Sequence, residues 1–434
     1  MCMNMIVLFT RCIQLPGRHE GFQNLTKVSD ALHTFLDAIG KPRIRLEFVS
    51  IDQSLGRILG ADIIADRFIP PTDRAVMDGY AVRSSEVHNA AEGNPVVLRI
   101  VGESKIGEVF RLNVQPGQAV AVATGSSIPS GADAVVMDER TKLLSTNEVA
   151  ILTPSAPGQH ISRRGEDVSR GAVVLIRGRR IRAQDMGVLK ALGLVRVRVV
   201  RKPRVAVFST GNELTDMLQR DRPNKIVDIN RLVLSEMIWE RGGIPVDLGL
   251  VRDDEEEIMA ALRKGLRSRE AVVATAGSSV GEKDLVPACI NKLGKPGMLV
   301  HGIAMRPAMP TGLAVVNGKP ILSLPGFPVS AIFGFRVFGR PLIARLLGSE
   351  VIDDPVVKAV LREKISNSPG FRAFVRVALR RTPDGLIAEP LRVQRSSVLM
   401  SMVAANGIIV VPEDVAAIEA GQVVEVDVIG EISS

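Results

Sequence analysis

Arg204-Val205-Ala206-Val207-Phe208-Ser209-Thr210-Gly211-Asn212-Glu213-Leu214 decides the fold: an unbroken apolar run passes directly into a polar, glycine-bearing turn. A continuous apolar run of this length reads as a strand covered on both faces. The same unit then recurs. Strands over 205–209, 246–250, 271–275, 298–303 and 321–324 alternate with helices over 231–241, 255–267, 285–292 and 328–347. Buried strands alternating with helices specify an α/β domain built on a parallel, doubly wound sheet. In such sheets ligands bind beyond the carboxyl ends of the strands. Four loops, 209–214, 252–254, 275–284 and 325–330, are therefore expected on one rim.

The residues of that rim have complementary chemistries. Gly277, Ser278, Ser279 and Gly281 can bring backbone N–H groups and hydroxyls to a phosphate beside a helix N-terminus. Glu213, Asp253, Asp254 and Asp284 are hard oxygen donors of the kind Mg²⁺ takes when it bridges phosphates. Taken singly, the Gly-Ser loop reads as a turn, and Asp253 or Asp254 reads as the cap of helix 255–267. Together they specify a Mg²⁺-dependent phosphate or nucleotide site. Neither a Walker A loop nor a GxGxxG fingerprint occurs, and no Ser-His-Asp or Cys-His set is apparent.

Upstream, apolar residues at helical spacing predict a helix over 27–39, stopped by Gly40-Lys41-Pro42. A short helix over 54–59 and a strand over 61–64 follow. Residues 70–160 change to short β runs separated by Pro and Gly turns, and 171–200 read strand, helix, strand. Downstream, 355–432 alternate as in Val423-Val424-Glu425-Val426-Asp427-Val428, which suggests a small barrel or sandwich. The expected organisation is an N-terminal extension (1–23), a discontinuous domain (24–70 with 161–202) and a β-rich insertion (71–160). The α/β domain (203–350) and a C-terminal β-barrel (355–434) complete it.

Composition narrows the partners. The 434 residues carry 55 Lys and Arg against 47 Asp and Glu, a net charge of +8, which suits any anionic ligand. Aromatic residues make up only 3%, leaving few platforms for stacking single-stranded nucleic acid. Cys2, Cys12 and Cys289 are too scattered for a disulfide framework or a zinc site, which favours a reduced, cytoplasmic setting. No apolar stretch is long enough to span a membrane.

Eight segments, in order, carry a resemblance. They are AVMDGYAVR (75–83), ATGSSIPSGADAVVM (123–137), RRGED (163–167), FSTGNEL (208–214), DINR (228–231), GSSVGEKD (277–284), LPGFPVS (324–330) and SSVLMSMVAANG (396–407). The chain resembles the molybdopterin molybdenumtransferase family, the MoeA type also seen as the gephyrin E domain, from about 25 to 429. The resemblance implies a four-domain homodimer that inserts molybdate into adenylylated molybdopterin, with Mg²⁺-assisted release of AMP. By position it implies that Glu213, Asp253 and Asp284 face the pyrophosphate and metal, and that Gly277, Ser278 and Ser279 contact phosphate. Pro325, Pro328 and Ser330 would shape the pterin pocket, and Ser396-Ser397 would lie near the molybdate end. Asp78, Thr124 and Asp167 would reach the site from the partner protomer.

The chain also departs from the family pattern. Where the family often reads KPGKP, it has Arg306-Pro307-Ala308-Met309-Pro310, so Arg306 keeps one cation and Met309 loses another. Phe327 stands where Asn is frequent, and Ser162 where a third arginine is common. These changes leave open a tungstate-inserting paralogue or a non-catalytic molybdopterin-binding scaffold. A nucleic-acid partner has no motif behind it.

Overall fold

The structure, a computed structural model, describes residues 25–108, 110–217, 224–276 and 285–432. The expected extension 1–23 and the candidates Gly277, Ser278, Ser279 and Asp284 lie outside the described residues. The chain divides into two compact units, one of residues 46–200 and the other of the segments on either side.

In the unit formed by the flanking segments, a six-stranded sheet has the order Ile244–Val251, Arg204–Thr210, Ala271–Ala276, Lys319–Pro325, Gly312–Val316, Pro296–His301. The first four strands are mutually parallel. Side chains alternate across the sheet, and both sets are buried: Ala206, Phe208, Val272 and Ala274 on one face, Val205, Val207 and Val273 on the other. Helices Glu255–Ser268 and Leu285–Leu293 cover the first face through Ile258, Leu262, Val286 and Ile290. Helix Asn230–Glu240, with Leu234 and Ile238 buried, packs on strands Ile244–Val251 and Arg204–Thr210.

The fifth strand was not expected. Gly312–Val316 runs antiparallel to both neighbours, joined to Lys319–Pro325 by Asn317 (φ 51°) and Gly318 (φ 76°). Two consecutive left-handed residues form the tight turn whose twist matches a hairpin, and Asn-Gly is its usual sequence. The helix expected over 328–347 begins as Pro328–Gly334 and ends as Arg340–Leu347, with one wide π-turn over Phe335–Gly339. Gly339 permits it: a Cβ there would meet the Phe335 ring at 2.3 Å.

Beyond this sheet, five strands close into a barrel: Arg372–Thr382, Gly385–Pro390, Val356–Leu361, Val423–Val428 and Gly407–Val411, which pairs back to the first. Its core holds Val377, Leu379, Ala388, Ile409, Val424 and Val426. Phe374, on the outer face, meets Phe333 of helix Pro328–Gly334 with ring centroids 5.3 Å apart.

The other unit holds a mixed six-stranded sheet, Ala134–Met137, Gly79–Val82, Gln118–Val122, Val96–Ser104, Glu148–Ile151, Thr141–Ser145. Strands Leu46–Ser50 and Arg196–Val200 pair antiparallel near its two chain ends. The helix expected over 54–59 is absent. Gly56 has φ 71°, and Ile58 and Leu59 bridge to Arg180 and Val199. Long-range pairing there overrides a local helical pattern. The dipeptide Asp78-Gly79 lies at a strand start, and the bare Cα of Gly79 is required because a Cβ would lie 2.0 Å from the Val136 carbonyl.

Candidate functional site

The ends of strands Arg204–Thr210 and Ile244–Val251 meet as expected for neighbouring parallel strands, and their loops are tied together. Thr210 Oγ1 donates to Asp253 Oδ1 at 2.5 Å, and the Asn212 N–H donates to Asp253 Oδ2 at 3.3 Å. Asp254 has a different job: its carboxylate caps helix Glu255–Ser268 by accepting the Glu257 N–H at 3.0 Å. Of the two acids, Asp253 is thus the one directed to the strand ends. Glu213 projects from the following turn, its carboxylate folded over the bare Cα of Gly211.

The turn carrying Glu213 borders a cavity of ≈ 310 Å³ lined by Thr210, Glu213, Thr275, Phe327, Pro328 and Ser397, among others; Asp253 and Asp254 are not part of its wall. Its wall also includes Asp228 and Asn230, which were quoted in a motif but not singled out as site residues. The Asn230 amide donates to the Gly326 carbonyl at 2.8 Å, and Asp228 accepts the Asn230 N–H at 3.0 Å. That network fixes the loop carrying Pro325 and Pro328. Among the described residues no three His, Cys, Asp or Glu side chains converge as a metal cage. The described donor set, Glu213 and Asp253, is two hard carboxylates, which fits an ion that keeps water and phosphate ligands.

A larger cavity, ≈ 840 Å³, adjoins it, with Phe327 common to both walls. Pro325, Ser330, Arg306, Met309 and Ser396 line it, so this set of candidates is brought together. The Val329 N–H donates to the Ser396 carbonyl at 3.1 Å, fixing the Ser396-Ser397 lip against helix Pro328–Gly334. Arg306 donates to Ser368 Oγ at 2.9 Å and stacks 4.4 Å from the Phe371 ring centre. Ala308, two residues on, is held at φ 79°, a conformation that favours glycine. The barrel contributes Lys364, Asn367, Gln394 and Arg395 to the same wall. Alternating strand patterns give no indication of which barrel residues would do so.

On the outer face of the barrel, Arg376 is buried to 1% exposure, and none of its three guanidinium nitrogens has a partner among the described residues. Burial pulls its pKa down. An unpaired buried cation is costly.

Asp78, Thr124 and Asp167 belong to the other unit. Asp78 Oδ1 accepts both the Thr124 N–H at 2.6 Å and the Thr124 hydroxyl at 2.9 Å, which hold its carboxyl below the usual range. Thr124 and Asp167 line one cavity of ≈ 720 Å³ with Arg67, Arg74 and Ser162. Nearby, burial raises the Asp138 carboxyl, with the Asp78 charge adding to the effect. Ser162 donates to Glu166 at 2.7 Å, while Arg163 pairs with Asp73 at 3.0 Å.

Three family models cover the chain in sequence: "MoeA N-terminal region (domain I and II)" over 26–193, "Probable molybdopterin binding domain" over 206–345 and "MoeA C-terminal region (domain IV)" over 358–429. A protein of Bacillus subtilis named molybdopterin molybdenumtransferase is 34% identical over 388 residues, 89% of this chain and 90% of its own. Molybdopterin molybdenumtransferase 2 of Mycobacterium tuberculosis is 34% identical over 69% of this chain and 75% of its own. A crystal structure of the molybdopterin biosynthesis moeA protein from Pyrococcus horikoshii OT3 superposes with a TM-score of 0.81. It is 32% identical and covers 93% of this chain and 100% of that one. With all three regions in order and relatives matched over most of their length, the chain belongs to the MoeA family.

Proposed function

We propose that this protein, an enzyme of molybdenum cofactor biosynthesis by its family, inserts molybdate into adenylylated molybdopterin and releases AMP in a Mg²⁺-dependent step. The observation that carries the reading is the pair of adjoining cavities that share Phe327. The smaller has the strand-end hydroxyls and Glu213; the larger has Arg306, Ser330 and the Ser396 lip. One extended anionic substrate with a phosphate end and a metal-receiving end fits such a pair.

In this reading Glu213 and Asp253 are the oxygen donors for Mg²⁺, which would neutralise the pyrophosphate oxygens and ease departure of AMP. Asp284, Gly277, Ser278 and Ser279 complete the phosphate end. Thr210 holds Asp253 by the 2.5 Å hydrogen bond and keeps its charge aimed at that end. Pro325, Pro328 and Ser330 shape the pterin wall. Arg306, pinned by Ser368 and Phe371, presents a fixed cation to the oxyanion, as a planar guanidinium suits. Asp78, Thr124 and Asp167 act across a homodimer on the partner's substrate. We place the enzyme in the cytoplasm; no helix among the described residues is long and apolar enough to cross a membrane.

The test incubates purified protein with adenylylated molybdopterin, Mg²⁺ and either molybdate or tungstate, and measures AMP. Release with molybdate supports the reading. Release with tungstate alone makes it the tungsten paralogue. Binding without release under either oxyanion leaves the scaffold and overturns the transferase.

A further inference from the structure

At the opposite end of the parallel strands from the rim lies a cavity of ≈ 350 Å³. Its walls come from residues just before, or at the start of, strands Arg204–Thr210, Ala271–Ala276 and Lys319–Pro325. A seven-residue strand spans about 23 Å, so this cavity is separate from the rim. Seven of its lining residues are Arg or Lys and one, Glu270, is acidic.

Most of the arginine charges have no carboxylate partner among the described residues. Glu270 uses one carboxylate oxygen to accept the Arg204 N–H at 2.8 Å. Lys319 donates to the Leu266 carbonyl, and Lys202 lies over the Trp239 ring at 4.4 Å. Arg43, Arg45, Arg201 and Arg267 have no ion pair among the described residues, although they share one cavity. Arg269 donates Nη1 to Ser268, but its buried Nε–H has no partner among the described residues. Guanidinium groups crowded in this way repel one another unless an anion lies between them.

We infer that this cavity is a second anion-binding site, for a small ligand carrying a diphosphate group. Its size admits a diphosphate and excludes a polynucleotide strand from its interior. The apolar part of the lining is Ile39, Pro42, Pro203, Pro320 and Leu346, with no aromatic ring on which a base could stack. Recognition therefore falls on the phosphate charge, which arginine forks bind in bidentate fashion.

The test is calorimetric titration of the full chain with inorganic pyrophosphate in about 150 mM salt, with saturating AMP present to occupy the rim. Wild type should bind one equivalent. The R43S/R267S variant should bind at least about tenfold more weakly, the loss expected from removing charged hydrogen bonds. Both side chains are exposed, and an unchanged melting curve confirms the fold; if the double variant melts early, R45Q replaces it. Free pyrophosphate and a nucleoside diphosphate are compared as two sources of the group. Equal affinity for both places recognition in the phosphates. Tighter binding of the nucleotide by more than tenfold would overturn the phosphate-only reading. Unchanged binding in the variant, equal competition by chloride, or stronger Arg43-dependent binding of a 20-mer oligonucleotide would each overturn the site.

Discussion

Thr210 Oγ1 lies 2.5 Å from Asp253 Oδ1, so one strand end holds the carboxylate of its neighbour. If Asp253 is a donor to Mg²⁺, D253N keeps the shape and removes the charge. AMP release should fall by about a hundredfold while the melting curve stays the same. T210A should cost about tenfold and raise the Mg²⁺ concentration needed for half-maximal rate, as loss of a supporting hydrogen bond does. Full activity in D253N would remove the residue from the site.

Met309 lines the larger cavity beside Arg306, at the position where the family resemblance leads one to expect a lysine. M309K should lower the KM for molybdate by about tenfold, one charge-assisted hydrogen bond's worth, and leave the KM for the pterin substrate in place. Steady-state AMP release at varied molybdate reads this directly. An unchanged KM would show that position 309 does not face the oxyanion.

Asp354 is the centre of a buried ion network. It pairs with Arg336 and Arg340 and lies 3.4 Å from Arg241, while Arg336 also reaches Asp427 of the barrel at 2.6 Å. Burial would raise its pKa, but the arginines outweigh burial and lower it. D354A leaves the nearly buried Arg340 guanidinium without its carboxylate and Arg336 with Asp427 alone, and should cost about 3–5 kcal/mol in urea unfolding. A loss under 1 kcal/mol would mean that the network is slack.

Asp185 lies in the first turn of helix Ala183–Ala191, accepts the Arg182 N–H at 2.9 Å and pairs with Arg179 at 2.9 Å. The Arg179 hydrogen bond is the main cause that lowers its pKa from 3.8 to about 2. Because the folded value is the lower one, the stabilisation is complete above about pH 5. It fades as pH falls through 3.8 towards 2. Arg179 is partly open to solvent, so the contribution is about 1 kcal/mol. D185N should be less stable than wild type by that amount at pH 7, and the two should converge near pH 2. A gap that stays constant across the range would exclude the ionised carboxylate as its source.

Ala308, 2% exposed, holds φ 79° while its carbonyl accepts the Thr311 hydroxyl at 2.8 Å. Glycine there relieves the left-handed strain of about 1–2 kcal/mol and gives back part of it as chain entropy. A308G should raise stability by about 0.5–1 kcal/mol, read as a higher urea midpoint. A lower midpoint would mean that the methyl contributes more by packing than the backbone loses.

The parallel strands were legible because each is a long apolar run bounded by a turn, as at 204–214. The hairpin at Asn317-Gly318 carries an equally direct signal in its dipeptide, but the strand before it, Gly312–Val316, is only five residues long. The false helix at 54–59 has helical spacing, but its partners, Arg180 and Val199, are more than a hundred residues away. Local pattern cannot register such pairing. The same limit explains the site. The rim loops follow from strand direction, but Lys364, Gln394 and buried Arg376 come from a barrel whose closure brings distant residues together. Asp254 shows how roles divide between neighbours: one acid of the pair caps a helix and the other does not.

The nested arrangement of the chain has a consequence for synthesis. Helix Val28–Ile39 packs on strands Pro296–His301 and Gly312–Val316, and Thr26 bridges to Ile303. Residues 46–200, a compact unit closed by its own terminal ladder, leave the ribosome in between. At about 5–20 residues per second the helix waits roughly 15–50 s for its strands. Throughout that interval its apolar face, with Val28, Ala31 and Phe35, is without the strands that bury it, while the unit made after it is free to fold first.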